Sequence, residues 1–308
     1  MDEALRVLVP DEQGGTALEQ LDGVRAVRYD PAEPLPLPPE ARDAEVLVVP
    51  PAYAGRLLAA MREMPRLRLV QTLSAGTDRW EGNLPDGVAL SNARGAHGGS
   101  TAEWAAAVLL AIYRELPRFA ADQAAGLWRH STTDTLDGKR VLILGAGDLG
   151  ASLRARLEPF GARITMVGRR SRPGIQAAGD LPALLPRHDA VVVMVPYNDS
   201  TRHMVGASFL AAMPDGAVLV NAARGPIVDT GALLAELRSG RLRAALDVTD
   251  PEPLPAGHPL WHAPGVLITP HVGGNTAGAA ERAWAVAARQ IAQYASGKQP
   301  DNLITGAS

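Results

Sequence analysis

Arg224, Glu252 and His271 are residue types that could together bind an anion and move a proton. Arginine presents a fixed fork of donors that suits carboxylates and phosphates. Histidine gains and loses its proton near neutral pH, and a neighbouring carboxylate can hold and orient it. Each of the three follows an apolar run. NAARGPIVD holds Arg224, DVTDPEPLP holds Asp247 and Glu252, and TPHVGGNT holds His271. In open α/β sheets, ligands gather at the carboxyl ends of strands, so these three ends could form one site. Taken singly, each is more often structural: Arg224 a surface arginine, Glu252 a solvated loop acid and His271 a hydrogen-bonded structural histidine. Their joint placement is what points to chemistry.

A second cluster lies upstream. LILGAGDLGASL carries G-x-G-x-x-G at Gly145, Gly147 and Gly150. It follows an apolar run and opens a helical pattern, the context in which this spacing binds a dinucleotide. The first glycine permits a tight turn, the second lets the backbone approach a pyrophosphate, and the third lets the helix pack on the strand. The helix N-terminus then offers free N–H groups to the anion. Roughly 20 residues further on, such folds usually place an acid for the ribose 2′-OH. This chain has VGRRSRPG there, with Arg169, Arg170 and Arg172 around Ser171. The spot reads either as a solvated basic loop or as a seat for an anion.

The elements that must position these groups are legible as alternation. The segments 5–10, 44–50, 67–73, 140–145, 162–168, 189–196, 216–223, 243–248 and 265–270 read as buried parallel strands. Helical patterns lie between them, including YAGRLLAAMREM. PAEPLPLPPE reads as a surface loop, because proline cannot sit in a central strand. Residues 98–119 predict one long buried helix with Ser100 or Thr101 as its cap, and 275–298 predict an Ala-rich helix. The fold expected is α/β, with two doubly wound (Rossmann/flavodoxin-like) domains and a cleft between them. The first domain would span 1–97 plus 277–308 and bind substrate. The second, 98–276, would bind the dinucleotide.

Composition fits an enzyme of this kind. The 308 residues suffice for two domains, and the net charge of −3 argues against a bulk nucleic-acid binder. With no cysteine there is no disulfide framework or thiolate metal site, and no metal is expected. The N-terminus does not read as a signal peptide. The apolar stretch 104–113 is too short to span a bilayer. A cytoplasmic protein with no membrane or nucleic-acid partner is expected.

From about Leu67 to Thr276 the chain resembles the D-isomer-specific 2-hydroxyacid dehydrogenases, most closely the glyoxylate/hydroxypyruvate reductase branch. LSAGTD, STAEW, LGAGDLG, VPYNDSTRHMV, NAARGPIVD, LDVTDPEPLP and TPHVGGNT carry the resemblance; the first 65 residues share only the α/β pattern. The resemblance implies an NAD(P)-dependent oxidoreductase acting on a small 2-keto acid or D-2-hydroxy acid, glyoxylate or hydroxypyruvate being expected. It implies Arg224, Glu252 and His271 as the catalytic trio, and Ala75 and Gly76 as amide donors to the substrate carboxylate. Cofactor contacts are implied for Thr101, Gly145, Gly147, Asp148, Leu149, Gly150, Pro196, Thr201, Ala222 and Asp247, the last toward the nicotinamide carboxamide. Arg169, Arg170 and Ser171 would take a 2′-phosphate, with Arg172 beside them, so NADP (NADPH) is expected over NAD.

The branch also implies a homodimer, with the helix near 100–118 as an interface element. Glu252 argues against the formate dehydrogenase relatives, which typically pair the histidine with Gln. The chain's end soon after its last helix argues against the extra regulatory domain of many phosphoglycerate dehydrogenases. A rival reading is a dinucleotide-sensing co-repressor of the same fold, which the lack of a long disordered tail disfavours.

Overall fold

The computed structural model describes residues 4–304 except positions 36 and 38. Residues 1–3 and 305–308 of the expected first domain, and two positions of its Pro-rich loop, therefore lie outside the described residues. The chain divides into two compact units, one of 1–97 with 277–308, the other of 98–276.

The first unit is built on β1 (Leu5–Val9), α1 (Glu12–Leu18), β2 (Val24–Arg28), α2 (Pro39–Arg42), β3 (Val46–Val49), α3 (Ala54–Met61), β4 (Leu69–Thr72) and β5 (Ala89–Ser91). The strands form one sheet in the order β2-β1-β3-β4-β5, and each neighbouring pair of these strands is parallel. Both faces are covered, which is why VLVV of β3 is apolar at every position. Val46 and Val48 face one core with Leu18, while Leu47 and Val49 face another with Leu57, Met61 and Trp80.

The second unit begins with α4 (Gly98–Tyr113) and α5 (Leu116–Ala124). It continues through β6 (Arg140–Leu144), α6 (Asp148–Leu157), β7 (Arg163–Gly168), β8 (Ile175–Ala177), α7 (Leu181–Leu184), β9 (Ala190–Val193), α8 (Ala207–Ala212), β10 (Val218–Asn221), α9 (Thr230–Arg238), β11 (Arg243–Leu246) and β12 (Val266–Ile268). Its sheet runs β12-β11-β10-β9-β6-β7-β8. Val141 and Ile143 pack toward α4 and α6, and Leu142 and Leu144 toward α8 and α9. The final helix, α10 (Ala279–Ala295), returns to the first unit and buries Trp284, Ala287 and Ile291 with Val7 and Val9.

Three expectations are corrected. The single helix over 98–119 is two helices. Glu115 takes a left-handed φ of 51°, and Pro117 sits in the first turn of α5. Proline has no N–H to offer the carbonyl of Tyr113 and would clash with it; Asp134 N takes that carbonyl instead, at 3.1 Å. Ser100 and Thr101 do not cap α4, which is already wound at Gly98. The Asp148 carboxylate lies against Gly98 and places negative charge at that helix end. The last helix starts at Ala279 rather than 275, after Gly278 in the left-handed region.

Three strands absent from the sequence reading complete the sheets: β2, β5 and β8. All are edge strands, and β5 and β8 have only three residues each, so the apolar run that marks a buried strand is missing.

Candidate active site

Adjacent strands β10, β11 and β12 bring Arg224, Glu252 and His271 to the carboxyl end of the second sheet. His271 Nδ1 lies 2.7 Å from Glu252 Oε1. The carboxylate accepts the Nδ1 proton, so Nε2 is the nitrogen left to exchange a proton with a ligand. The two side chains are 45% and 38% exposed, open enough to reach one.

His271 sits on a turn with φ of 54°. Asp247, buried at the end of β11, holds that turn from both its backbone and its side chain. Its carbonyl accepts from His271 N at 2.7 Å. Its carboxylate accepts from Thr269 Oγ1 at 2.6 Å, Val272 N at 2.9 Å and Gly273 N at 2.8 Å. The cofactor contact implied for Asp247 thus falls on a side chain already engaged three times within the chain.

Arg224 follows β10 and is half-buried. Asn221 Nδ2 donates to the Arg224 carbonyl at 2.9 Å, and Arg224 Nη1 donates to the Ala223 carbonyl at 2.8 Å. Gly225 lets this turn press on the next loop: a Cβ there would lie 1.9 Å from the Thr249 carbonyl oxygen. The sequence R-G therefore seats the arginine turn against the segment that leads to Glu252.

The glycine-rich turn lies at the carboxyl end of β6. The sheet order reverses at this strand, since β7 lies on one side of it and β9 on the other. This is where such sheets bind ligands. Gly150 packs so closely that a Cβ would fall 2.0 Å from the Gly145 carbonyl oxygen, whereas a Cβ on Gly147 would meet nothing within 4 Å. That open cradle, ahead of the exposed Asp148 and half-buried Leu149 that start α6, fits a dinucleotide phosphate.

Arg169, Arg170 and Ser171 are exposed just beyond β7. Arg172 differs from them: its Nη2 donates to the Ala146 carbonyl at 2.8 Å, and its backbone pairs with Ile175 across the R-P-G-I turn. It ties the arginine loop to the glycine-rich turn. Thr201 Oγ1 donates to the Pro196 carbonyl at 2.9 Å and accepts from Asn198 N, so it shapes the loop after β9. Thr101 is buried in α4, and Ala222 is buried after β10.

In the first unit the loop after β4 is wired by its carbonyls. Thr72 Oγ1 donates to Ser74 O at 2.6 Å, Ser74 Oγ to Gly76 O at 2.9 Å and Asn92 Nδ2 to Ala75 O at 2.8 Å. Among the described residues, the backbone N–H groups of Ser74, Ala75 and Gly76 have no partner. Successive free amides form a concavity suited to an anion. His97 Nε2 meets the Leu73 carbonyl, just before this loop, at 3.1 Å.

Comparison with known proteins accords with this arrangement. The family model described as D-isomer specific 2-hydroxyacid dehydrogenase, NAD binding domain, matches residues 106–273. A glyoxylate reductase of Aeropyrum pernix is 33% identical, covering 97% of this chain and 95% of that one. A glyoxylate/hydroxypyruvate reductase B of Yersinia enterocolitica is 34% identical over 71% of each. Among solved structures, a D-isomer specific 2-hydroxyacid dehydrogenase of Xanthobacter autotrophicus Py2, in complex with NADPH and MES, superposes with a TM-score of 0.85 at 29% identity, covering 98% of both chains. An NADPH-dependent glyoxylate/hydroxypyruvate reductase of Sinorhizobium meliloti, in complex with NADP and malonate, gives 0.80 at 25% identity, covering 98% of this chain and 97% of that one. The chain belongs to the D-isomer specific 2-hydroxyacid dehydrogenase family, a family of NAD(P)-dependent oxidoreductases. Among the described residues no helix is long and apolar enough to cross a membrane.

Proposed function

We propose that this protein reduces glyoxylate, hydroxypyruvate or a similarly small 2-keto acid to the D-2-hydroxy acid, with NADPH preferred over NADH. The observation that carries the reading is the His271–Glu252 pair at 2.7 Å. The pair supplies an oriented proton donor, which ketone reduction needs. The relatives' names point the same way and do not favour a co-repressor.

The reduced nicotinamide supplies the hydride when bound. The rest falls to the chain's own residues. Arg224 grips the substrate carboxylate and polarises the ketone oxygen with its donor fork. The amides of Ala75 and Gly76 bind the carboxylate. His271, as imidazolium, donates its Nε2 proton to the developing alkoxide, while Glu252 holds the ring by Nδ1.

Toward the cofactor, Gly145, Gly147 and Gly150 with the start of α6 (Asp148, Leu149) would cradle the pyrophosphate. Thr101, Pro196, Thr201, Ala222 and Asp247 would line the remainder. Arg169, Arg170 and Ser171 would hold the 2′-phosphate, where an acid would repel it. We read the assembly as a homodimer on the family resemblance, and sedimentation velocity tests that directly.

The deciding experiment is absorbance at the reduced-nicotinamide band with glyoxylate, hydroxypyruvate, pyruvate and phenylpyruvate, each with NADPH and NADH. Turnover of a small 2-keto acid with a lower KM for NADPH is expected. No turnover with any of the four defeats the reductase reading. Equal use of both cofactors defeats the phosphate-site reading alone.

A further inference from the structure

The carboxylate cradle proposed at Ala75 and Gly76 is held by a buried polar relay that starts in the segment after α10. Asn302 is 6% exposed. Its Nδ2 donates to the carbonyls of Asn92 at 3.0 Å and Arg94 at 3.1 Å. Its own N–H donates to Gln290 Oε1 of α10 at 2.8 Å, and its carbonyl accepts from Asn92 N at 3.2 Å. Asn92, 8% exposed, passes the constraint on: Oδ1 accepts from Arg94 N at 3.1 Å and Nδ2 donates to Ala75 O at 2.8 Å.

The backbone carries the same link. Leu303 bridges antiparallel to Ser91, and Ile304 N donates to Leu90 O at 2.8 Å. The terminal segment therefore runs along the outer edge of β5 and delivers Asn302 to the turn that faces the cradle.

We propose that Asn302 and Asn92 are positioning residues for substrate binding, which fix the Ala75–Gly76 peptide plane so that the Gly76 amide stays turned toward the carboxylate. The physical reason is the pairing itself. Each buried asparagine spends its amide donors on carbonyls, and a peptide whose carbonyl is tied down cannot rotate its plane. Neither residue need touch substrate. The inference rests on the reductase reading for its kinetic consequence, though not for its structural one.

The test uses two near-isosteric variants, Asn302→Asp and Asn92→Asp. Each replaces an amide donor with an oxygen that faces a carbonyl, so the tie is lost with little change of shape. Loss of about one net hydrogen bond predicts a KM for the keto acid raised about tenfold, with the KM for NADPH unchanged. The double variant should be no worse than the worse single, because both act along one path. In amide NMR spectra the Ala75 and Gly76 signals should shift or broaden in both variants, while those of Gly147 and Gly150 stay in place.

A variant that only lowers the melting temperature, with keto-acid KM and the Ala75 and Gly76 signals unmoved, overturns the proposal. If the wild-type protein reduces no keto acid, the reductase reading fails, and the NMR comparison alone decides the positioning claim. Should Asn302→Asp fail to fold, Asn92→Asp still decides it.

Discussion

Arg224 and His271 make different demands on substitution. Arg224→Lys keeps the charge but replaces a planar fork by a point charge. Hydrogen bonds to charged groups contribute about 1.5–3 kcal/mol, so kcat/KM for the keto acid should fall roughly 10- to 100-fold. Near wild-type efficiency would remove Arg224 from the site. His271 must be protonated for reduction and neutral for oxidation. His271→Ala, which removes the group that exchanges the proton, should therefore depress both directions of the reaction. Glu252→Gln replaces the charged acceptor of the Nδ1 proton with a neutral one, so the ring is held less firmly and kcat should fall in both directions. An unchanged kcat in both directions, with chemistry shown to limit the rate, would mean that Glu252 only packs. Residue type and strand-end placement brought these two side chains to one candidate site, and their pairing was what the family resemblance implied. The grip of Asp247 on the His271 turn was not, since three bonds to Thr269, Val272 and Gly273 depend on how one turn folds back. Asn302 offered no signal at all: a lone polar residue near a chain end reads as solvated until its neighbours are known.

At the scale of elements, apolar runs revealed the central strands because those strands are covered on both faces. The same rule hid β2, whose Arg25 and Arg28 lie on an exposed edge. Helix ends were less legible where two signals competed, as at Glu115, where apolar periodicity continued and Pro117 broke the hydrogen-bond ladder. Strand starts carry a device of their own. Asp189, just before β9, accepts from Arg140 N at 2.8 Å, Nε at 3.1 Å and Nη2 at 2.7 Å, joining it to the first residue of β6. The bond from the Arg140 side chain holds the Asp189 carboxyl below the usual carboxylate range, against the opposing effect of partial burial. A group depressed in the folded state stabilises above its unfolded pKa, and that contribution is lost as pH falls through the folded value. Asp189→Asn should therefore lower the melting temperature at neutral pH, with the gap to wild type closing as pH drops below about 4. A gap that is constant from neutral to acid pH would assign its cost to packing instead.

For the whole molecule, charge gives little guidance: a net −3 over 308 residues offers no broad positive field to draw in a phosphorylated cofactor. Any preference for the 2′-phosphate must come from the local cluster at Arg169, Arg170 and Ser171, exposed at the end of β7. Ligand binding to the folded state makes that preference visible in stability without turnover. A ligand at a hundred times its Kd adds about 2.7 kcal/mol to folding, and tighter binding at the same concentration adds more. One phosphate-bound arginine is worth about 1.5–3 kcal/mol, or roughly one to two decades of affinity. At equal concentrations NADPH should therefore raise the melting temperature more than NADH. Arg169→Ala should shrink that difference while sparing the NADH shift, because the glycine-rich cradle is untouched. Added salt should act in the same direction, since exposed charges are screened within a Debye length of about 8 Å at physiological ionic strength. If NADH and NADPH shift the wild-type protein equally at low salt, the arginines of VGRRSRPG are a solvated loop and the nucleotide is chosen elsewhere.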